Sequence, residues 1–550
     1  MSFPQSSAWR LVMLASILGL AVTSCTSDDA GSGQQSAGGS AGSGGASSGG
    51  QAAGGTAGTG GTSVGGSSGG GTGGSATGGS ATGGAATGEI GPDAAECQDL
   101  TPLPTPCEAT GSGRCLYIDP QLGDDTAGDG TQAHPWRTLA NIVSYYGTPG
   151  EQGSTPKPSS ATTLAPGDVV YLFGGMYSSV YNYQGYEQVA RFRGVSGTAT
   201  DPIRIKAYPG QGPVIDGNAQ GSGIVLAQLS HFELEGLEIK NTYGPGVRLE
   251  EADEIRLHRL HVHDVDGIDN DNIAGVYVVG STSVELSCSN LHDNYDRHPN
   301  GGSASENNSD VVLFGGGGIR VHHNKLWQSL PASAPVTGGC IKYKHAATLV
   351  SASFEVDHNL LSNCKFFGVG TGTQHTHVHH NLITRGEGIV SRDFGGPTHQ
   401  TDQLFEHNTL YQSTLSFYAT DGYANGDFAD PSQFEFRRNI IVHELPQPGQ
   451  ERATVLISPY GNDALFDKTV PALAFSQNCY LNTSGSVAFS LFAAGGSWGD
   501  KGGLYSLTEW QALGFDTDSL ETDPRFVAPQ SDDFHLAADS PCAQFGAFAP

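Results

Sequence analysis

The stretches "FEVDHNLLSN" (354–363) and "THVHHNLITR" (376–385) decide how this chain folds. In each, apolar and polar residues alternate over four positions, a His-Asn pair interrupts, and a second short apolar stretch follows. Alternation with period two marks a strand with one buried face. The figure recurs as "FELEGLEIKN" (232–241), "IRLHRLHVHD" (255–264), "VELSCSNLHD" (284–293), "IRVHHNKLWQ" (319–328), "QLFEHNTLYQ" (403–412) and "FEFRRNIIVH" (434–443). The eight starts lie 23, 29, 35, 35, 22, 27 and 31 residues apart, a loose period that predicts a solenoid whose turns share strands and differ in loop length.

A further strand column precedes the first: "GIVLA" (223), "GVRLE" (246), "GVYVV" (275), "DVVLF" (310), "CIKYK" (340), "FGVGT" (367), "GIVSR" (388) and "LSFYA" (415). Stacked turn on turn, these columns predict parallel sheets with little helix. Asn324, Asn359, Asn381, Asn408 and Asn439 fall at one corner, where side-chain amides can hydrogen-bond from turn to turn. His323, His358, His380 and His407 sit just before them and read as stacked corner residues. His375, His377 and His379 alternate in "QHTHVHHN" (374–381), a spacing open to a metal ion for which the local sequence offers no Cys or carboxylate.

Outside the repeat, the chain opens with Arg10 and an apolar run from Leu11 to Val22, a secretory signal rather than a membrane span. The run ends in "VTSC", which resembles the lipobox of bacterial lipoproteins and implies a lipid on Cys25, with anchorage at an outer membrane or cell surface. Residues 30–88 are almost wholly Gly, Ala, Ser and Thr, with too little apolar bulk to offset the entropy of ordering. They read as a disordered tether, about 40 to 45 Å from end to end for a Gly-rich coil of about sixty residues. The expected organisation is a signal (1–24), a tether (25–96), a cap with first turns (97–220) and a β-helix with irregular last turns (221–550).

The formal charge of −29 excludes nucleic acid as a partner, since no basic stripe exists to neutralise phosphates. Beyond Cys25 stand eight cysteines, an even number that suits an oxidising compartment. Their pairing is not deducible, although Cys479 with Cys542, and two among Cys97, Cys107 and Cys115, are natural partners.

The segments "CLYIDPQLGDDTAGDGTQAHPWRTL" (115–139), "LAPGDVVYLFGGMY" (164–177) and "PIRIKAYPGQGPVIDG" (202–217) resemble, in order, the N-terminal part of secreted β-helix proteins of the pectate-lyase-like superfamily. With the crossover rule for parallel strands, the resemblance implies an all-β, right-handed parallel β-helix. Asp119, Asp124, Asp125 and Asp129 in the first segment read as turn and capping carboxylates.

The chain has only nine lysines, yet "CIKYK" places Lys342 and Lys344 two apart. Strand alternation sends Ile341 and Tyr343 to the core and both ammonium groups to the outer face, about 7 Å apart. Tyr277 on an earlier turn, and Arg392 with Asp393 two turns later, are the expected neighbours in a solvent-facing groove. A cationic patch on an acidic protein suits an acidic polysaccharide. Lyases on this fold break uronic-acid polymers by β-elimination, in which a base removes the C5 proton while positive charge neutralises the carboxylate.

The run "CIKYKHAATLVSASFEVDHNLLSNC" (340–364) resembles the lysine-bearing turn of the chondroitinase B and alginate lyase group, which implies Lys344 as the base. The run "NNSDVVLFGG" (307–316) followed by "GGCIKYKH" resembles the calcium-dependent pectate lyases, which implies Lys342 as the base and Asp310 as a metal ligand. Val311 and Phe314 stand where that family has its other carboxylates. In "DVDGIDNDN" (264–272), Asp264, Asp266, Asp269 and Asp271 offer hard oxygen ligands for Ca2+. The sequence thus predicts a surface-anchored, monomeric lyase acting on acidic polysaccharide. A non-catalytic glycan-binding or adhesin-like β-helix is the alternative, and a glycoside hydrolase, which needs paired carboxylates, is a third reading.

Overall fold

The computed structural model describes residues 89–98, 107–144, 158–183, 186–268, 273–298, 308–329, 339–344, 353–364, 367–392, 402–419, 434–443, 455–459, 470–491 and 503–549. The lipidation candidate Cys25 and the whole Gly-rich segment lie outside them. Among the described residues the strands form a right-handed parallel β-helix of three long sheets, with 12 strands in sheet 1 and 13 each in sheets 2 and 3. Sheet 1 runs from Cys115–Ile118 to Leu473–Ser476, sheet 2 from Gly175–Tyr177 to Leu520–Glu521, and sheet 3 contains Gly339–Lys344. Each turn passes from sheet 3 to sheet 1 to sheet 2. No described helix is long and apolar enough to cross a membrane.

The alternation read in the sequence sets this packing. In Phe354–Asp357 and Thr376–His379, Phe354, Val356, Thr376 and Val378 point inward and are buried, stacked in register across the two strands. On the outer face of sheet 1, opposite charges face each other across neighbouring strands. Arg204 meets Glu233 at 3.0 Å, Arg256 meets Glu285 at 3.6 Å, Arg320 meets Glu355 at 3.7 Å and Arg437 meets Glu406 at 2.8 Å. Cross-strand pairs of this kind contribute roughly 0.2 to 1 kcal/mol each, so they tune register more than they hold the coil together.

From Ser230 onward the corner between sheets 1 and 2 keeps one length, whereas five residues separate Ile203–Ala207 from Pro213–Asp216 in the turn before. In nine successive turns, from Ser230–Glu235 and Glu238–Thr242 to Leu473–Ser476 and Cys479–Asn482, two residues separate the strands. In the later turns the first of the two has positive φ, as at His323 (52°), His358 (53°), His380 (52°) and His407 (52°), and the second is Asn. The left-handed conformation bends the chain sharply, and His and Asn tolerate it better than branched residues.

The Asn column is a continuous hydrogen-bonded ladder. Asn359 N and Nδ2 donate to Asn381 Oδ1 at 3.1 and 2.9 Å, and Asn381 N and Nδ2 donate to Asn408 Oδ1 at 3.1 and 3.0 Å. The ladder continues through Asn439 to Asn478, beyond the predicted column, and is capped by serines. Ser289 N donates to Asn324 Oδ1, and Asn478 N to Ser519 Oγ. Beside it the four corner imidazoles stack, with centroids 4.8, 5.0 and 4.8 Å apart and planes within 6°.

Burial of these rings has a pH consequence. Desolvation lowers the pKa of His323 from its ordinary 6.5 to about 4, and does the same to His258 and His261. A depressed histidine pKa means the folded state holds fewer protons than the unfolded one, so stability is lost as pH falls from 6.5 toward 4. Glu285, held down to about 2 first by its hydrogen bond with His322, acts in the same direction below its ordinary 4.5. Asp310, raised by desolvation, opposes them. The urea midpoint, measured in chelator, is expected to drop between pH 6.5 and 4, and His323→Gln to flatten that slope.

Four disulfides form: Cys97–Cys288, Cys107–Cys115, Cys340–Cys364 and Cys479–Cys542. The first joins residues 191 apart in sequence, a pairing that no local pattern announces. The N-terminal carboxylates are turn formers as predicted. Asp119 Oδ1 accepts from Gln121 and Leu122 N, Asp124 Oδ1 from Thr126 and Ala127 N, and Asp125 Oδ1 from Arg137 and Thr138 N.

Candidate functional site

The strand Gly339–Lys344 lies in sheet 3 between Ser309–Phe314 and Val369–Thr371. Its register pairs Lys342 with Val312 and Gly370, and Tyr343 with Leu313 and Thr371. Two features fix its first residues. Cys340 is bonded to Cys364, and a Cβ on Gly339 would lie 2.3 Å from the Phe367 ring, so only glycine fits. Alternation holds as expected: Ile341 and Tyr343 are fully buried in the core, where the Tyr343 hydroxyl donates to Gly316 O at 2.7 Å.

Lys342 and Lys344 therefore share the opposite face, but at their two positions that face is covered. They are only 2% and 6% exposed, with their ammonium groups 5.8 Å from the Phe367 ring centroid and 5.4 Å from that of Phe314. The expectation of two lysines in an open groove is corrected accordingly. Alternation fixes which side of a sheet a residue takes and says nothing of what covers that side.

Register places the remaining candidates. Tyr277 pairs with Val312, which pairs with Lys342, so the ring stands two turns before Lys342 in the same column. Arg392 follows Ser391, the partner of Thr371, and its N–H donates to Thr371 O at 2.9 Å, which sets it two turns after Lys344. The sequence reading passed over two further cations on this face. Arg248 pairs with Tyr277 and holds its guanidinium 5.5 Å from that ring, while Arg191 pairs with Val225, itself the partner of Arg248. Glu250 accepts from Arg191 Nη2 at 2.7 Å and pairs ionically with Arg248, whose Nε lies 2.7 Å from its Oε1. The "GVRLE" member of the repeat carried the signal, since Arg248 occupies the position of Tyr277 one turn earlier.

Of the predicted metal ligands, Asp310 stands on the strand next to Lys342, two residues nearer its start, while Asp264 and Asp266 lie on a strand of sheet 2. Asp310 is fully buried in the corner between sheets 2 and 3, where Asn294 Nδ2 donates to its Oδ1 at 2.9 Å and Gln328 Nε2 lies 3.4 Å from both oxygens. Desolvation pushes its pKa well above the usual carboxylate range. Asp264 is exposed, with positive φ and Oδ2 2.8 Å from His263 Nδ1, and Asp266 pairs with Tyr295 along a neighbouring strand. Asp269, Asp271 and Asp393 lie outside the described residues. Calcium takes six to eight oxygens. Near Lys342, the Asp310 carboxyl is already engaged by amide groups, which does not suit a calcium ligand.

Residues 123–310 match the family model of the Pel9A-like, right-handed β-helix region. The match spans about a third of the chain. That region ends at Asp310 and so contains Tyr277, Arg248 and Arg191 but neither Lys342 nor Lys344. Among solved structures, the chain is similar to the pectate lyase Pel9A, at 13% identity and a TM-score of 0.49, over 80% of this chain and 95% of that one. It is also similar to a rhamnogalacturonan lyase, at 17% identity and a TM-score of 0.44, over 64% and 86%. A third likeness is to PfbA, a surface adhesin of Streptococcus pneumoniae, at 10% identity and a TM-score of 0.34, over 59% and 81%. No curated protein matches the sequence.

Proposed function

We propose that the protein is a polysaccharide lyase that cleaves a uronic-acid polymer on the outer face of sheet 3, held at a cell surface through Cys25 and the Gly-rich tether. One observation carries this reading: two of the nine lysines of a strongly acidic chain share the outer face of one strand, in register with Tyr277 before them and Arg392 after them. Lys342, in its neutral form, accepts the proton from C5 of the uronic residue. The electron pair of the C5–H bond forms the C4=C5 double bond, the C4–O bond breaks, and the leaving oxygen takes a proton from water or an acid. Lys344 and Arg392, charged, neutralise the substrate carboxylate while negative charge builds on it. Tyr277 offers a ring on which a sugar can rest.

A glycan-binding helix without chemistry is favoured by a different observation, the near-complete burial of both lysines. The two readings separate in one assay. A lyase releases an unsaturated uronide that absorbs at about 235 nm, the signature of the proton abstraction proposed for Lys342. Incubation with pectate, rhamnogalacturonan, alginate and glycosaminoglycans, each with Ca2+ and with chelator, is expected to produce that absorbance with at least one polymer. Retention of a polymer in affinity electrophoresis without any absorbance would sink the lyase reading. Activity lost in chelator would support a calcium site in the Asp264 to Asp271 loop.

A further inference from the structure

On the outer face of sheet 1, opposite charges alternate from strand to strand until Thr376–His379, where both outward positions are histidines. His377 stands in register with Glu355 of the preceding strand, and His379 with Glu406 of the following one. The contacts cross diagonally. His379 Nε2 lies 3.1 Å from Glu355 Oε1, His377 Nε2 lies 3.1 Å from Glu406 Oε1, and the two rings are 4.0 Å apart. One ligand atom from each of Glu355, His377 and His379 lies within 4.8 Å of the others.

We propose that Glu355, His377 and His379 form a binding site for a borderline divalent cation of the Zn2+ class, with Glu406 orienting His377 and water in the fourth position. Two imidazoles and one carboxylate with an open position are an established zinc donor set, and imidazole selects such ions over Ca2+ and Mg2+. A ring that ligates through one nitrogen is fixed through the other, which is what Glu406 supplies; its second oxygen is in turn held by Arg437 Nε at 2.8 Å. Metal–ligand bonds of about 2.0 to 2.2 Å put tetrahedral ligand atoms roughly 3.4 Å apart, so the widest of the three separations must close by up to about 1.4 Å, while His379 and Glu355 already lie close enough. Side chains exposed by 40% at Glu355, 37% at His377 and 13% at His379 have the room to do so.

The neighbouring groupings are less suited. Asp357 already receives Arg320 through both its oxygens, at 2.9 and 2.8 Å, and His323 is buried in the imidazole stack. An ion at Glu355, His377 and His379 ties one turn of the coil to the next, on a different sheet from the one that carries Lys342.

The full-length protein, stripped with EDTA and dialysed, is titrated with Zn2+ by calorimetry at neutral pH. The expected result is a tight equivalent that disappears in His377→Ala/His379→Ala, weakens in Glu355→Gln, and persists in Glu96→Gln, which alters a neighbouring cluster. Co2+ in its place should give the intense visible bands of a four-coordinate ion, and Zn2+ should raise the melting temperature of the wild type but not of the double variant. Equal melting temperatures of wild type and variants in EDTA show that the fold is intact. A wild type that takes up no Zn2+, or a double variant or Glu355→Gln that keeps the equivalent at full affinity, overturns the proposal.

Discussion

Lys342→Met is expected to lower the rate of uronide release by about 10²- to 10⁴-fold, the usual contribution of a general base, with circular dichroism and urea midpoint close to those of the wild type. The change keeps an unbranched chain of similar length against Phe367, so packing survives while the proton acceptor is lost. Lys344→Met is expected to raise KM and lower kcat together, because a charge that meets the carboxylate serves both binding and the transition state. The two variants also separate the family resemblances. The pectate-lyase comparison puts the larger loss at Lys342, and the chondroitinase and alginate-lyase comparison puts it at Lys344. Full activity in both variants would remove the lysines from the chemistry.

Asn381→Ala is expected to destabilise the coil by about 3 to 6 kcal/mol, read as a fall in the urea midpoint. Its amide donates to Val356 O at 2.8 Å, His379 O at 2.9 Å and Asn408 Oδ1 at 3.0 Å, while its own oxygen accepts from the backbone and side chain of Asn359. Alanine leaves the Asn359 donors and several carbonyls without that partner in a fully buried corner, at roughly 1 to 3 kcal/mol for each buried group left unmet. In a solenoid each turn leans on its neighbours, so a defect in the middle uncouples the two halves, and the same change at the ladder end, Asn478, should cost less. A loss below about 1 kcal/mol at Asn381 would show that the ladder sets register without stabilising.

The coil was legible because its signals are local. Period-two alternation can be read from any one turn, a His-Asn pair marks the corner in four of them, and Asn359 and Asn381 do lie in adjacent turns. The ladder was read one residue short because "LAFSQNCYLN" (473–482), the turn that carries Asn478, follows a longer interval than any of the eight aligned stretches and lies outside them. What depends on sums over distant segments was not legible. The cover over Lys342, the amide groups around Asp310 and the Cys97–Cys288 bridge join residues whose spacing in sequence follows from loops of variable length. The same holds for Glu355 and Glu406, which flank His377 and His379 in space yet lie 22 and 27 residues from their strand partners.

The two-residue corner, kept over nine successive turns, divides that part of the coil into a side that holds its length and a side that varies. One residue inserted between sheets 1 and 2 would turn the strand after it inside out, because side chains alternate. Where sheet 3 leads into sheet 1 there is no such constraint: Ala227 and Ser230 are separated by two residues, Lys344 and Phe354 by nine, and Ser391 and Gln403 by eleven. Doubling a loop there costs only about 0.6 kcal/mol in closure entropy. New specificities, natural or engineered, are therefore most cheaply written as insertions along the rim of sheet 3, beside the lysines, while the Asn corner serves as the spine that keeps such changes from propagating.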